Sequence, residues 1–171
     1  MHGWAVTTST PDHVIDPTAV EALPVEYLFD LAIDFDPMQI YPSPLGTRMV
    51  AVVRRGTASG PRLDADVLPG GGDWLLVGSD GVARLDVRVT LRAADGAMIH
   101  LTNTGRVLMD GEARDRFLGG ETIRFAEMHA RTAPLFETGS HAYSWLNHTV
   151  AIGNVVELGL DRIRYQVFAV R

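Results

Sequence analysis

The 171-residue chain contains no cysteine and no lysine, so all 15 of its basic residues are arginine. Without cysteine there are no disulfides, thiolate metal sites, iron–sulfur clusters or thiol nucleophiles. Without lysine there is no Schiff-base chemistry and no P-loop lysine. Long apolar runs are missing too, and no stretch approaches the roughly 20 apolar residues of a spanning helix. The opening stretch, Met1 to Pro24, has neither a basic n-region nor a continuous apolar h-region, so it does not read as a signal peptide. Positive charge is in deficit. A formal net charge of −6 runs against the clustered positive field that phosphate backbones require, and nucleic acid is not expected as a partner. The expectation is a soluble, cytoplasmic protein with no membrane association.

What is present is a globular composition, 46% hydrophobic and 21% charged, in a length that suits one domain with its own core. Residues 1–24, rich in Thr, Ser, Pro and Asp, read as an N-terminal extension with one short helical turn near Pro17 to Leu23. Residues 25–171 read as the folded domain. There the period-2 signal dominates: Val25, Tyr27, Phe29, Leu31, Ile33 and Phe35 alternate with Glu26, Asp30 and Asp34, as in a half-buried strand. A proline-rich loop follows, with strands predicted over 49–53, 63–68, 73–77, 82–93, 97–109, 127–136, 148–158 and 162–170. Asp80-Gly81 and Asp95-Gly96 sit between alternating runs and predict hairpins with type I′ turns. One helix is predicted over 110–119, with Asp110 as its cap and Gly119-Gly120 as its stop. With no βαβ alternation and no repeat, the fold class is all-β. The architecture expected is a single antiparallel β-barrel of eight or nine strands with one short helix, because closure removes exposed sheet edges.

Three groups of residues have the chemistry of a site. Asp73-Trp74 follows Pro69-Gly70-Gly71-Gly72; it enters a strand and lacks a GK[ST] ending, so a nucleotide cradle is not expected. Its plainer placement is a flexible turn with an exposed Asp; the functional one is a barrel rim, where glycine permits close backbone approach to a ligand. The second group is the strand in which Arg84, Asp86, Arg88 and Thr90 oppose Leu85, Val87, Val89 and Leu91. Its polar face is either a solvated surface or, in a barrel that holds one small molecule, an inward lining. The same choice applies to His100, Thr102 and Thr104 opposite Ile99, Leu101 and Asn103. In the third group Arg131, Glu137, Tyr143, Trp145 and Asn147 lie within 17 residues. Arg131 suits a carboxylate or oxyanion, Glu137 proton transfer, Tyr143 donation to an oxyanion, and Trp145 a flat apolar wall. The plainer account of this group is an Arg–Glu pair with aromatic core plugs. His100, His129, His141 and His148 match no metal-ligand spacing, so no metal is expected.

The segments Leu68-Pro69-Gly70-Gly71-Gly72-Asp73-Trp74, Ala83 to Leu91 (ARLDVRVTL), Arg131 to Gly139 (RTAPLFETG) and Tyr143-Ser144-Trp145-Leu146-Asn147 resemble, in order and spacing, the domain-of-unknown-function 3237 family, also called uncharacterised protein family 0311. Gly46-Thr47-Arg48 is similar to the family's opening GTR. The resemblance runs from about Val25 to the C-terminus. It implies a closed antiparallel barrel similar to allene-oxide-cyclase-like barrels, with a polar cluster inside one mouth, and it favours an inward Asp86 and Arg88. On these grounds Asp73, Asp86, Arg131, Glu137 and Tyr143 are the candidate catalytic residues. Arg48, Trp74, Arg88, His100, Asn103, Trp145 and Asn147 are the candidate substrate-binding residues.

The reading is a cofactor-independent enzyme of lyase, isomerase or cyclase type, moving a proton on a small, partly apolar, carbonyl-bearing metabolite. Secondary metabolism would suit it, by analogy of fold alone. The alternative is a lipocalin-like carrier or sensor of a hydrophobic metabolite, with the charged face of the Asp86 strand turned to solvent; a third is a purely structural barrel without a cavity. The partner expected is a small molecule, and a homodimer is the assembly that short barrels with apolar edges favour.

Overall fold

A computed structural model describes residues 22–171. The readings made for residues 1–21, including the helical turn near Pro17, lie outside them. Eleven strands follow in order: β1 (Val25–Phe35), β2 (Gln39–Ser43), β3 (Gly46–Ser59), β4 (Asp64–Val67), β5 (Gly72–Val77), β6 (Ala83–Ala93), β7 (Met98–Met109), β8 (Ile123–Arg124), β9 (Met128–Glu137), β10 (Ala151–Leu158) and β11 (Arg162–Val170), with helix α1 (Gly111–Leu118) between β7 and β8. The sheet runs β1-β11-β10-β9-β7-β6, continues through a position shared by β4 and β5, and reaches β3, which pairs back onto β1. That is a closed antiparallel barrel of eight staves, as the alternating pattern predicts. Three short strands bring the total to eleven: β2 folds along the start of β3, β8 adds to the end of β10, and β4 completes the stave begun by β5.

Local chemistry explains where the pattern was misread. In β1 the pairing steps from Tyr27↔Phe168 to Phe29↔Val167, which leaves Leu28 as a bulge. A bulge inserts one residue and reverses the inside–outside phase. Phe29, Leu31, Ile33 and Phe35 therefore face the core, while Val25 is exposed and Tyr27 lies half-buried, edge-on to Phe168. The proline-rich stretch is not all loop, because Pro42 is tolerated in β2, a short edge strand.

The hairpin turns also differ from type I′. Among the described residues only glycines have positive φ, 75° at Gly81 and 88° at Gly96. The Gly81 amide donates to the Gly78 carbonyl, and the Gly96 amide to the Ala93 carbonyl. Asp80 and Asp95 do not have positive φ, and their carboxylates accept from the amides of Val82 and Ala97. These are longer loops with a bulge glycine, a common hairpin closure.

Helix α1 starts where predicted: the Asp110 carboxylate accepts the Ala113 N–H at 2.8 Å. Gly120, at φ +93°, ends it. Asp110→Ala is expected to cost about 1 kcal/mol, a fall of roughly 2–4 °C in Tm by thermal melt for a domain of this size.

The two ends of the barrel are built differently. At one end the segment after β9 folds over the opening. Thr138 donates its hydroxyl to the Met98 carbonyl, and Asn147 both accepts from the Thr138 amide and donates to the Thr138 carbonyl. Leu146, on a 3₁₀ turn over Ser144–His148, is then 1% exposed in the core. At the other end, where β7 finishes, α1 lies across the mouth and Phe117 packs inward.

Candidate active site

Beneath α1 the barrel interior is open, a cavity of about 240 Å³. Its walls are almost wholly apolar, with Phe35, Met38, Met49, Leu75, Val107, Phe117 and Leu158 among the lining residues. Two lining residues are ionisable: Asp73 on β5 and Arg114 on α1.

The glycine run places Asp73. A Cβ at Gly71 would sit 2.5 Å from the Arg88 carbonyl oxygen, and one at Gly72 would sit 2.8 Å from that of Ala51. Glycine is used here so that β5 can lie tightly between β6 and β3, not to approach a ligand. Asp73 then falls on the inward phase of β5 with Leu75 and Val77, and is 5% exposed. The β5–β6 pairs run Gly72↔Arg88 and Asp73↔Val87, then resume at Leu76↔Arg84. In the gap the Asp86 backbone N–H donates to the Asp73 carboxylate at 2.9 Å.

That single hydrogen bond does not offset burial. Loss of water around Asp73 raises its pKa, the Asp86 N–H lowers it, and the negative charge of Asp86 raises it again; the outcome is a shift from 3.8 to about 7. A carboxyl in an apolar wall favours its neutral form. Tyr165 on β11 is 2% exposed, and burial together with the charge of Asp73 pushes its phenol well up. Its O–H therefore stays protonated at neutral pH.

Two more polar side chains point inward. Asn103 on β7 pairs with Val87, which itself pairs with Asp73, so Asn103 stands two strands from Asp73 at the same level. Thr132 on β9 sits between Gly105 and Gly153, where a Cβ at either position would overlap it. Asn103 is 2% and Thr132 5% exposed. Asn103 Oδ1 and Thr132 Oγ1 have no hydrogen-bond partner among the described residues. An unpaired buried hydroxyl is a cost that an apolar isostere removes. Thr132→Val is accordingly expected to leave stability unchanged or raise it by up to about 1 kcal/mol, seen as an equal or higher melting temperature; a clear fall would show that this hydroxyl is satisfied.

The remaining candidates lie elsewhere. Asp86 and Arg88 point outward and pair with each other at 3.0 Å, so the inward orientation implied by the family resemblance is corrected. The alternation decides it, because Leu85, Val87, Val89 and Leu91 hold the inner phase. Trp74 is adjacent to Asp73 and so on the opposite face, 39% exposed, its carbonyl accepting from Arg48 at 2.8 Å. His100 faces out on β7, opposite Glu137 on β9. Arg131 also faces out, its guanidinium 4.8 Å from the Phe125 ring. The Arg131–Glu137 pair considered above does not form: both are exposed, six residues apart on the outer phase of β9. Tyr143, Trp145 and Asn147 belong to the segment covering the closed end, where Arg62 stacks over Trp145 at 4.5 Å. Of the twelve candidates only Asp73 and Asn103 point into the barrel. Tyr165 and Thr132 join them there, and neither was singled out from the sequence.

The fold and the cavity define a small antiparallel barrel with one mouth roofed by a helix and one buried acid facing an apolar chamber. The family model described as Protein of unknown function (DUF3237) matches residues 23–170, and the chain belongs to that family. It is 33% identical over 137 residues to a UPF0311 protein of Clostridium acetobutylicum, covering 78% of this chain and 87% of the relative. It is 27% identical over 130 residues to a hydroalkoxylation enzyme of Penicillium herquei, covering 75% of this chain and 72% of that enzyme. Among solved structures, a conserved protein of unknown function from Rhodopseudomonas palustris superposes with a TM-score of 0.84 at 24% identity, covering 89% of this chain and all of the other. One relative thus carries an enzyme's name. No helix of the described residues is long and apolar enough to cross a membrane.

Proposed function

We propose that this protein is a cofactor-independent enzyme that moves a proton on a small, largely apolar molecule held in the barrel, with Asp73 as the acid and base. The observation that carries the reading is a carboxyl in an apolar cavity with its pKa raised to about 7. A group half-protonated at neutral pH gives up and takes back a proton with comparable ease, the optimum for general acid–base catalysis. The reaction class is of cyclase, isomerase or lyase type. The relative from Penicillium herquei is named for hydroalkoxylation, in which an O–H adds across a carbon–carbon double bond. On this chain, Asp73 would give its proton to one alkene carbon as the hydroxyl oxygen bonds the other. The hydroxyl proton then returns to the carboxylate, so atoms and charge balance with no cofactor.

A carrier reading draws on the apolar walls and on the outward Asp86 and Arg88. Binding an apolar metabolite gives no use for a buried acid, which costs stability at neutral pH; proton transfer does. The test is exchange in D₂O. Small apolar alkenols and ketones are incubated with the full chain, and deuterium incorporation or ring closure is followed by mass spectrometry. The wild type is expected to incorporate deuterium with at least one of them. Arg131→Ala and Glu137→Ala, on the outer face, are expected to match it. Binding without exchange across the set would favour the carrier.

A further inference from the structure

We propose that the molecule held in this cavity carries an ionised acid group, in the simplest case a carboxylate, at its solvent end, and that Arg114 receives it. The proposal rests on the reading that a small molecule occupies the cavity, but not on Asp73 being catalytic.

Arg114 is the one cation among the residues that line the cavity. It sits on α1 beside Phe117 and Leu118, which contribute apolar surface to the same mouth. Several arginines on the outside are held by carboxylates at hydrogen-bond distance: Arg84 by Asp80 at 2.6 Å, Arg116 by Glu127 at 2.6 Å and Arg124 by Glu157 at 2.7 Å. Arg114 is different. Its guanidinium makes no side-chain hydrogen bond among the described residues, and its nearest carboxylate, Asp115, is 3.6 Å away in an exposed contact. The planar fork of donors is left available for a planar acceptor, the geometry that arginine offers carboxylates.

The chamber then has a defined polarity. An anion is repelled from Asp73 whenever that carboxyl is ionised, and it is welcome at the mouth. A molecule with an apolar body and one acid group enters with the acid outward, which brings its uncharged end to Asp73. With a net charge of −6 on the whole chain, general attraction of anions is absent, so any preference for an acid over a neutral counterpart must arise locally.

The experiment is a fluorescence titration of the full chain with 2-naphthoate and with its neutral counterpart, 2-naphthalenemethanol. The wild type is expected to bind the carboxylate more tightly, by about two- to fivefold, the range of one partly exposed ion pair. Added salt should erode that preference and leave the alcohol unaffected. Arg114→Gln should abolish it while holding alcohol binding within about twofold, and Asp115→Asn, which removes the competing carboxylate, should increase it. Asp73→Asn should keep the preference. Equal binding of the two probes by the wild type, or a preference that survives Arg114→Gln, overturns this proposal and leaves the catalytic reading standing. Binding of neither probe overturns it together with the cavity reading. Absence of exchange chemistry in the wild type, with the preference intact, contradicts the role of Asp73 alone.

Discussion

Asp73→Asn is expected to lower turnover by about 10²–10⁴-fold, measured as deuterium incorporation or product formation under saturating substrate, with binding changed little. The size follows from what the substitution removes. Asparagine keeps the shape and can still accept the Asp86 N–H that holds the carboxyl in place, but it exchanges no proton. Asp73 is the one acid lining the chamber, so no neighbouring group inherits the task. A loss in kcat with an unchanged Kd separates proton transfer from positioning. Loss of binding together with turnover would mean that Asp73 holds the molecule instead of reacting with it.

The same residue sets the second large effect, and here the sign is unusual for an aspartate. Its folded pKa, about 7, lies above the unfolded value of 3.8. Below about pH 4 both states are protonated and Asp73 costs nothing. Between there and about pH 7 the unfolded chain ionises while the native carboxyl does not, so stability falls by about 1.4 kcal/mol per pH unit. Above about pH 7 the loss levels off, at about 4 kcal/mol in total. Surface carboxylates work in the opposite direction and lower in pH: Asp80, paired with Arg84, titrates near 2, and the carboxylates of Glu26 and Glu127 lie below their usual range. Urea unfolding of wild type and Asp73→Asn across this range isolates the term, because surface pairs cancel in the difference. The variant should gain about 4 kcal/mol relative to wild type between about pH 4 and about pH 8. A constant difference would place Asp73 in a solvated, ordinary environment.

Together the two expectations describe an activity–stability trade. The protein retains a carboxyl that weakens it at neutral pH, and the use proposed for it is proton exchange in an apolar chamber.

The barrel was legible in the sequence because half-buried strands write their faces as alternation, and 25–35, 82–93 and 97–109 do so with few breaks. What escaped was of two kinds. Bulges and short edge strands leave no period of their own: Leu28 reverses the phase of β1 without a sequence mark, and β2 is masked by Pro42 and by the flanking Pro37 and Pro44. The site was misplaced for a different reason. Clusters of charge along one strand, such as Arg84-Asp86-Arg88 or Arg131 with Glu137, look like chemistry but are an ordinary solvated outer face. The useful signal was the reverse, a single polar residue in an otherwise apolar phase. Asp73 with Leu75 and Val77, Asn103 with Ile99 and Leu101, Thr132 with Ala130 and Phe136, and Tyr165 with Ile163 and Val167 all have this form. Each breaks the inner face of its strand once, and all four point into the barrel.

The measurement that tests the account most directly is the titration of the Asp73 carboxyl carbon by ¹³C NMR in the full chain, its resonance assigned by its absence from Asp73→Asn. A midpoint near 7 is predicted, as burial against apolar walls requires. A midpoint near the ordinary aspartate value of about 4 would contradict the account, since the chamber would then hold a plain carboxylate with no proton to give at neutral pH.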